Sequence, residues 1–195
     1  MYISYEDLKL KVLEDVYKPA EDTYLLISAI TGERGGKALD LGCGCGLISL
    51  ILAKKFSEVI AVDINPYAVG LTLHNAKING LSNIYTVRCD SGSSLKSCVF
   101  DVVACNPPYI PVLEEKGWIN KAWSGGLTGR EATYRMAGEA YRLLKEDGRL
   151  YIVASSLSKI EYVEKYLGKL GFKNVKKIMF RKLFFEELVV IKCLK

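Results

Sequence analysis

The chain has 195 residues, half of them apolar and a quarter charged, with a formal net charge of +5. That length suits one domain able to bury roughly 70% of the surface of its unfolded chain, and no apolar run approaches the roughly eighteen residues that cross a bilayer. The first residues, MYISYEDLKL, lack a basic segment followed by an apolar stretch and a small-residue cleavage site, so the expected compartment is the cytoplasm, with no membrane partner.

In chain order, Ser4-Tyr5-Glu6-Asp7 has the form of a capping box and predicts a short helix. Pro19 then stands where a second helix would open, with Glu21 and Asp22 complementing the dipole in its first turn. Short apolar runs next alternate with longer amphipathic stretches, the pattern of a mostly parallel sheet with helices on both faces. The expected strands are Lys37–Leu41, Glu58–Asp63, Ile84–Arg88, Phe100–Cys105 and Arg149–Ala154. The expected helices are Gly46–Phe56, Tyr67–Asn79, Arg130–Lys145 and Ser158–Leu170. Asn174–Arg181 and Glu186–Cys193 then predict two strands joined by a tight turn, a C-terminal antiparallel hairpin closing an α/β fold. No repeat or linker interrupts the chain, so residues 1–195 are read as one domain.

Six cysteines without a CxxC pair and a single histidine, His74, are poor material for a zinc site, so no metal is expected. The cysteines are read as buried free thiols, a structural disulfide being left open only for a hyperthermophilic source. Lysines crowd the last third of the chain, among them Lys159, Lys165, Lys169, Lys173, Lys176 and Lys177. Their spacing fits solvated helix and hairpin faces, though an acidic or RNA-associated partner is compatible with them.

The first parallel strand runs into Asp40-Leu41-Gly42-Cys43-Gly44-Cys45-Gly46 and directly into a helix. Gly42, Gly44 and Gly46 permit a tight turn and let a ligand approach bare backbone at a helix N-terminus. Leucine at 47 breaks the dinucleotide fingerprint, and the Gly-Lys-Ser/Thr of a P-loop is absent. The second strand ends in Asp63, where an acid can accept from ribose hydroxyls, and the third ends in Asp90-Ser91. Each acid alone is commonly a turn former. Three in succession on one sheet edge favour a ligand with positive charge and hydroxyls, and would repel pyrophosphate.

The fourth strand empties into Asn106-Pro107-Pro108-Tyr109. This order of glycine loop, strand-end acids and Asn-Pro-Pro-Tyr resembles class I methyltransferases dependent on S-adenosylmethionine, over almost the whole chain. The resemblance implies a Rossmann-like, mostly parallel seven-stranded sheet. It also implies that the glycine loop with Asp40 holds the methionine part of the cofactor, Asp63 the ribose, and Asp90 with Ser91 the adenine, with Asn106 touching cofactor as well as substrate. Chemically, the Asn106 side-chain carbonyl and the Pro107 backbone carbonyl can accept both hydrogens of a planar amino group. Pro107 and Pro108 stiffen the backbone, and Tyr109 offers a ring against which a flat acceptor can lie.

Asn-Pro-Pro-Tyr alone does not choose between an adenine amine and a glutamine amide. Residues 15–26, Asp-Val-Tyr-Lys-Pro-Ala-Glu-Asp-Thr-Tyr-Leu-Leu, and residues 122–131, Ala-Trp-Ser-Gly-Gly-Leu-Thr-Gly-Arg-Glu, resemble the HemK-like glutamine methyltransferases. More narrowly, they resemble the short archaeal and eukaryotic branch that modifies the Gly-Gly-Gln loop of class 1 translation termination factors. The resemblance implies that Tyr17, Pro19 and Thr23 close over the cofactor, within N-terminal helices spanning residues 1–35, and that the loop from Trp123 to Arg130 frames the substrate entrance. It also implies a small zinc-containing activator protein in a heterodimer. Residues 84–88 should form an exposed sheet edge open to strand addition by that partner. Competing readings are a nucleic-acid base-amine methyltransferase, for which 195 residues leave little room for a recognition surface, a protein lysine methyltransferase, and a fold that only binds its partner.

Overall fold

A computed structural model describes residues 1–112 and 117–195. The chain opens with β1 (Tyr2–Tyr5) and β2 (Leu8–Lys11), an antiparallel hairpin where a short helix was expected at Ser4. The local cap signal loses because Leu8 and Leu10 alternate inward, burying one face of a strand against the core. After Ala20, which caps it, α1 runs Glu21–Ile30; Pro19 therefore precedes the cap instead of opening the helix. Then follow β3 (Gly35–Leu41), α2 (Leu47–Ala53), β4 (Phe56–Asp63), α3 (Pro66–Ile78), β5 (Ile84–Arg88) and β6 (Phe100–Cys105). The second half holds α4 (Gly117–Trp123), α5 (Glu131–Leu143), β7 (Leu144–Ser155), α6 (Ile160–Leu170), β8 (Lys173–Lys182) and β9 (Glu187–Leu194).

Strands β3 to β9 form one seven-stranded sheet in the order β5-β4-β3-β6-β7-β9-β8. The pairs from β5 through β7 are parallel, while β9 lies antiparallel between β7 and β8. The period-two alternation along β6 shows how the layers form. Val102 and Ala104 join the core shared with α1, α2 and α3, whereas Val103 and Cys105 join the core under α5 and α6. Strand β7 begins earlier than expected, at Leu144, because Leu144 pairs with Phe100 before the register shifts to Val102 opposite Arg149. All six cysteines are free. Among the described residues no helix is long and apolar enough to cross a membrane, and no cluster of side chains suits a metal ion.

Two asparagines of α3 hold the N-terminal hairpin in place. Asn75 Oδ1 accepts from the Lys11 N–H at 2.8 Å, and its Nδ2 donates to the carbonyls of Lys11 (3.0 Å) and Cys45 (2.8 Å). Asn79 repeats the exchange with both backbone groups of Lys9. The two amides thus pair with β2 as a neighbouring strand would. Asn75 is fully buried, and with three bonds lost Asn75→Ala is expected to lower unfolding free energy by about 3 kcal/mol. Denaturant unfolding, together with faster hydrogen exchange at the Lys9 and Lys11 amides, checks this; unchanged exchange would contradict it.

Candidate active site

At the centre of the sheet β3 and β6 are neighbours, and α2, which follows β3, packs on the face opposite to α5, which precedes β7. A crevice opens between the two strand ends, the usual ligand position in such sheets. It holds a cavity of about 320 Å³, lined from the turns after β3 and β6, the end of β4, the segment leading into α1, and helices α4 and α5.

The glycine turn forms one wall. Gly42 and Cys43 both donate N–H groups to the Val62 carbonyl at 2.9 Å, folding the loop back across β4. Gly42 and Gly46 each have φ of +87°, in the left-handed region that glycine tolerates. A Cβ on Gly46 would also stand 2.8 Å from the Thr72 side chain, so close packing as well as backbone conformation calls for glycine. Gly42 and Gly44 line the cavity; Gly46 sits behind it as the cap of α2.

The strand-end acids occupy different depths. Asp63 lines the cavity and accepts from the N–H groups of Gly44 and Asn65, each at 2.9 Å, which aims its carboxyl group along the rim. Burial raises its pKa despite those bonds. Asp40 does not reach the cavity surface. It is fully buried behind the loop, where the Ser49 hydroxyl donates to Oδ2 and Oδ1 has no partner among the described residues. Burial, reinforced by the Asp63 charge, pushes its pKa up to about 7. Asp90 and Ser91 line the far end, where Arg135 reaches both, its Nε donating to Ser91 Oγ at 3.2 Å.

The opposite wall is a buried hydrogen-bond hub centred on Asp22. Its carboxylate accepts from the Tyr17 hydroxyl at 2.8 and 2.9 Å, from the Thr23 N–H at 2.6 Å, and from the Tyr109 hydroxyl at 3.2 Å. The N-terminal segment is thereby tied to the Asn-Pro-Pro-Tyr turn. Burial first and the Asp22 charge second raise the pKa of both phenols, which stay protonated as donors. Tyr17 also meets Trp123 edge to face, ring centroids 4.8 Å apart.

The turn after β6 is fixed from behind. The Ile110 N–H donates to the Trp123 carbonyl, and the Gly125 N–H to the Ile110 carbonyl, so residues 110 and 124 bridge as a short parallel pair. Gly129, with φ of +74°, lies so close that a Cβ would come within 2.5 Å of the Tyr109 carbonyl. Within this rigid frame Asn106 lines the cavity, and its Oδ1 is buried with no hydrogen-bond partner among the described residues. A buried carbonyl without a donor is costly unless a ligand supplies one.

The structure therefore brings together at one cavity Tyr17, Pro19, Thr23, Gly42, Gly44 and Asp63, with Asp90, Ser91, Asn106, Pro107, Pro108, Tyr109 and Trp123. Asp40 and Gly46 stay behind the wall. Sequence reasoning missed Asp22, read only as a helix-dipole acid, and Arg135. It also gave Trp118 no part, yet Trp118 lines the cavity beside Lys121, whose Nζ stands 5.1 Å from its ring centroid. For Asp22 and Arg135 the contacts that place them at the site, to Tyr109 and Ser91, lie far along the chain.

A family model described as Methyltransferase small domain matches residues 17–184. The chain belongs to this family. The "Putative protein N5-glutamine methyltransferase" of Methanocaldococcus jannaschii is 40% identical over 195 residues, covering 98% of each chain. The eRF1 methyltransferase catalytic subunit mtq2 of Schizosaccharomyces pombe is 30% identical, covering 85% of this chain and 83% of that one. Among solved structures, the E. cuniculi Mtq2-Trm112 complex, described as responsible for methylation of the eRF1 translation termination factor, superposes with a TM-score of 0.76. It is 28% identical, covering 93% of this chain and 99% of that one. The chain is a methyltransferase of the small-domain family and takes its methyl group from S-adenosylmethionine.

The residues present fit that cofactor. A bare glycine cradle, buried acids and an orphaned Asn106 carbonyl suit a cationic, hydroxyl-bearing ligand beside an amino group. Asp40 then predicts a pH dependence. A carboxyl group with a pKa near 7 is mostly protonated at pH 6 and ionised at pH 8, and only the ionised form attracts a cation. Calorimetric affinity for S-adenosylmethionine is expected to rise across that interval by up to about tenfold, and the rise to flatten in Asp40→Asn. The sign for stability is opposite. A carboxyl group whose pKa is raised by folding stabilises fully below its unfolded value of 3.8, and that contribution is lost as pH climbs through 7.

Proposed function

We propose that this chain methylates the side-chain amide nitrogen of the glutamine in the Gly-Gly-Gln loop of a class 1 translation termination factor. One observation carries the proposal: the Asn106 carbonyl at the strand end, without a partner among the described residues and a ready acceptor for an amide N–H, in a chain 40% identical over 98% of its length to the "Putative protein N5-glutamine methyltransferase".

S-adenosylmethionine supplies a methyl group already activated on a sulfonium. The chain's own task is therefore positioning and electrostatics. Asn106 Oδ1 and the Pro107 carbonyl accept the two hydrogens of the amide and fix its nitrogen. Pro107 and Pro108 hold the turn, and the Tyr109 and Trp123 rings bound the slot in which the flat amide lies. The same two carbonyl oxygens support the positive charge that grows on the nitrogen as it gains the methyl group, and the nitrogen then releases one of its two hydrogens as a proton to solvent water, leaving a neutral N-methyl amide. Asp63 takes the ribose hydroxyls, Asp90 and Ser91 the adenine, and Gly42 and Gly44 the methionine portion. Asp40 acts through the loop as a buried charge. Tyr17, Pro19 and Thr23 close the cavity from the N-terminal side, within a single domain spanning the chain.

The partner in this reading is a small zinc-containing activator paired through β5. That strand is an edge of the sheet and exposes Tyr85, while the neighbouring α3 exposes Tyr67, Leu73 and Ile78. Such an apolar edge invites strand addition, and the similar Mtq2 was solved with Trm112. The test is methyl transfer from labelled S-adenosylmethionine, with the activator present, to a purified termination factor and in parallel to an adenine-containing oligonucleotide. Label on the factor is expected. Label on the oligonucleotide alone would transfer the site to base methylation.

A further inference from the structure

The turn between β8 and β9 carries two phenylalanines that the fold does not bury. Phe184 is 92% exposed and Phe185 86%, and their rings stack edge to face on each other with centroids 4.6 Å apart. A soluble surface rarely presents two adjacent aromatic rings with no apolar neighbour of their own to cover them.

Their place in the fold gives them meaning. Because β9 runs antiparallel to β7, pairing Leu188 with Ser155, the β8–β9 turn lies at the carboxyl edge of the parallel strands, where the active site opens. Arg181 at the end of β8 reaches across to Glu21 of α1 at 2.7 Å, one residue before the Asp22 hub. Glu186, directly after the pair, accepts from Ser155 Oγ, and its charge is felt by the hydroxyls of both Tyr17 and Tyr109. The backbone on either side is tied down, with the Leu183 N–H donating to the Glu186 carbonyl at 2.7 Å and the Glu187 N–H to Ser156 Oγ at 3.0 Å. The rings therefore project from a fixed base beside the mouth of the cavity.

An activator seated on β5, as proposed above, lies at the other edge of the sheet from this tip. Strand β5 and strand β8 are the two opposite edges of the sheet, six strand spacings or roughly 29 Å apart. The tip is instead continuous with the wall that receives the acceptor side chain. An acceptor amide carried on a folded protein brings that protein's surface against the rim, and because Lys182 stands opposite Glu187 and Arg181 is bound to Glu21, the two rings are what this tip offers to it.

Building on the glutamine reading above, we infer that the Phe184–Phe185 tip is the docking point for the protein that carries the acceptor amide, inserting into an apolar recess on that protein's surface. Aromatic anchors of this kind concentrate binding energy in few residues. The tip sets affinity for the intact protein without touching the transferred methyl group.

The test compares the wild-type enzyme, with its activator, to the double variant Phe184→Ala/Phe185→Ala and to Phe184→Leu/Phe185→Leu, using the intact termination factor as substrate. The alanine pair is expected to raise KM for the factor by about tenfold or more while kcat and affinity for S-adenosylmethionine stay at wild-type values. The leucine pair should recover most of the loss. An unchanged KM in a wild-type enzyme that does methylate the factor overturns the docking point alone. A wild-type enzyme that leaves the factor unmethylated overturns the glutamine reading, and the docking point with it. A fall in kcat or cofactor affinity equal to the rise in KM would show a structural effect and would also overturn it.

Discussion

Asn106→Ala is expected to lower kcat by about 10²- to 10³-fold while the protein stays folded and still binds S-adenosylmethionine. The combination follows from the bonding of that one side chain. Its Oδ1 makes no hydrogen bond among the described residues, so stability loses no bond from that oxygen when it is removed. The turn that carries it is held by other groups, namely the backbone exchange between Ile110 and residues 123–125 and the close seat of Gly129 under Tyr109. What disappears is the acceptor that fixes the reacting nitrogen and shares the charge it acquires. Single-turnover kinetics beside calorimetric cofactor binding measure the two halves separately. A kcat within about threefold of wild type would remove Asn106 from the chemistry.

Asp22→Ala has the second large effect, by a different route. The carboxylate is 3% exposed and serves two phenols and a backbone amide at once. Its loss strands the buried Tyr109 hydroxyl and frees the Tyr17 segment from the turn after β6. Hydrogen bonds to a charged acceptor are worth about 1.5–3 kcal/mol each, with partial recovery as water enters. Unfolding free energy is expected to drop by about 2–4 kcal/mol. Affinity for S-adenosylmethionine should fall by about tenfold or more, because Tyr17, Pro19 and Thr23 no longer stand against the glycine loop. Asp22→Asn, which keeps one acceptor, should lie between. Lower stability with unaltered cofactor affinity would reduce Asp22 to a helix-start residue.

Much of the frame could be read from local pattern, and the exceptions share a cause. Ile84–Arg88 and Phe100–Cys105 are found at the expected bounds, since each is a short apolar run stopped by turn-forming residues. The hairpin at Tyr2–Lys11 was misread because its partners are Asn75 and Asn79, more than sixty residues away, while Ser-Tyr-Glu-Asp offers a cap to any method that sees only neighbours. The alternation in Leu8-Lys9-Leu10-Lys11 was the available signal. Asp40 was placed on the cavity because it ends a strand beside glycines, yet only the fold shows that its side chain turns inward to Ser49. Asp22 shows the reverse error: its main partner across the cavity, Tyr109, lies 87 residues on, and a first-turn acid already has a sufficient local explanation. Residues whose role depends on one strand end were legible. Those that join two distant segments were not.

The most direct test of the central claim is peptide mapping by tandem mass spectrometry of a termination factor incubated with this enzyme, its activator and S-adenosylmethionine. The glutamine of the Gly-Gly-Gln loop is expected to gain the mass of one methyl group, with fragment ions placing it on the side-chain amide and no gain after reaction with Asn106→Ala. A methyl group found on a lysine or another residue, or a Gly-Gly-Gln loop left unmodified while the enzyme binds its cofactor normally, would contradict the assignment.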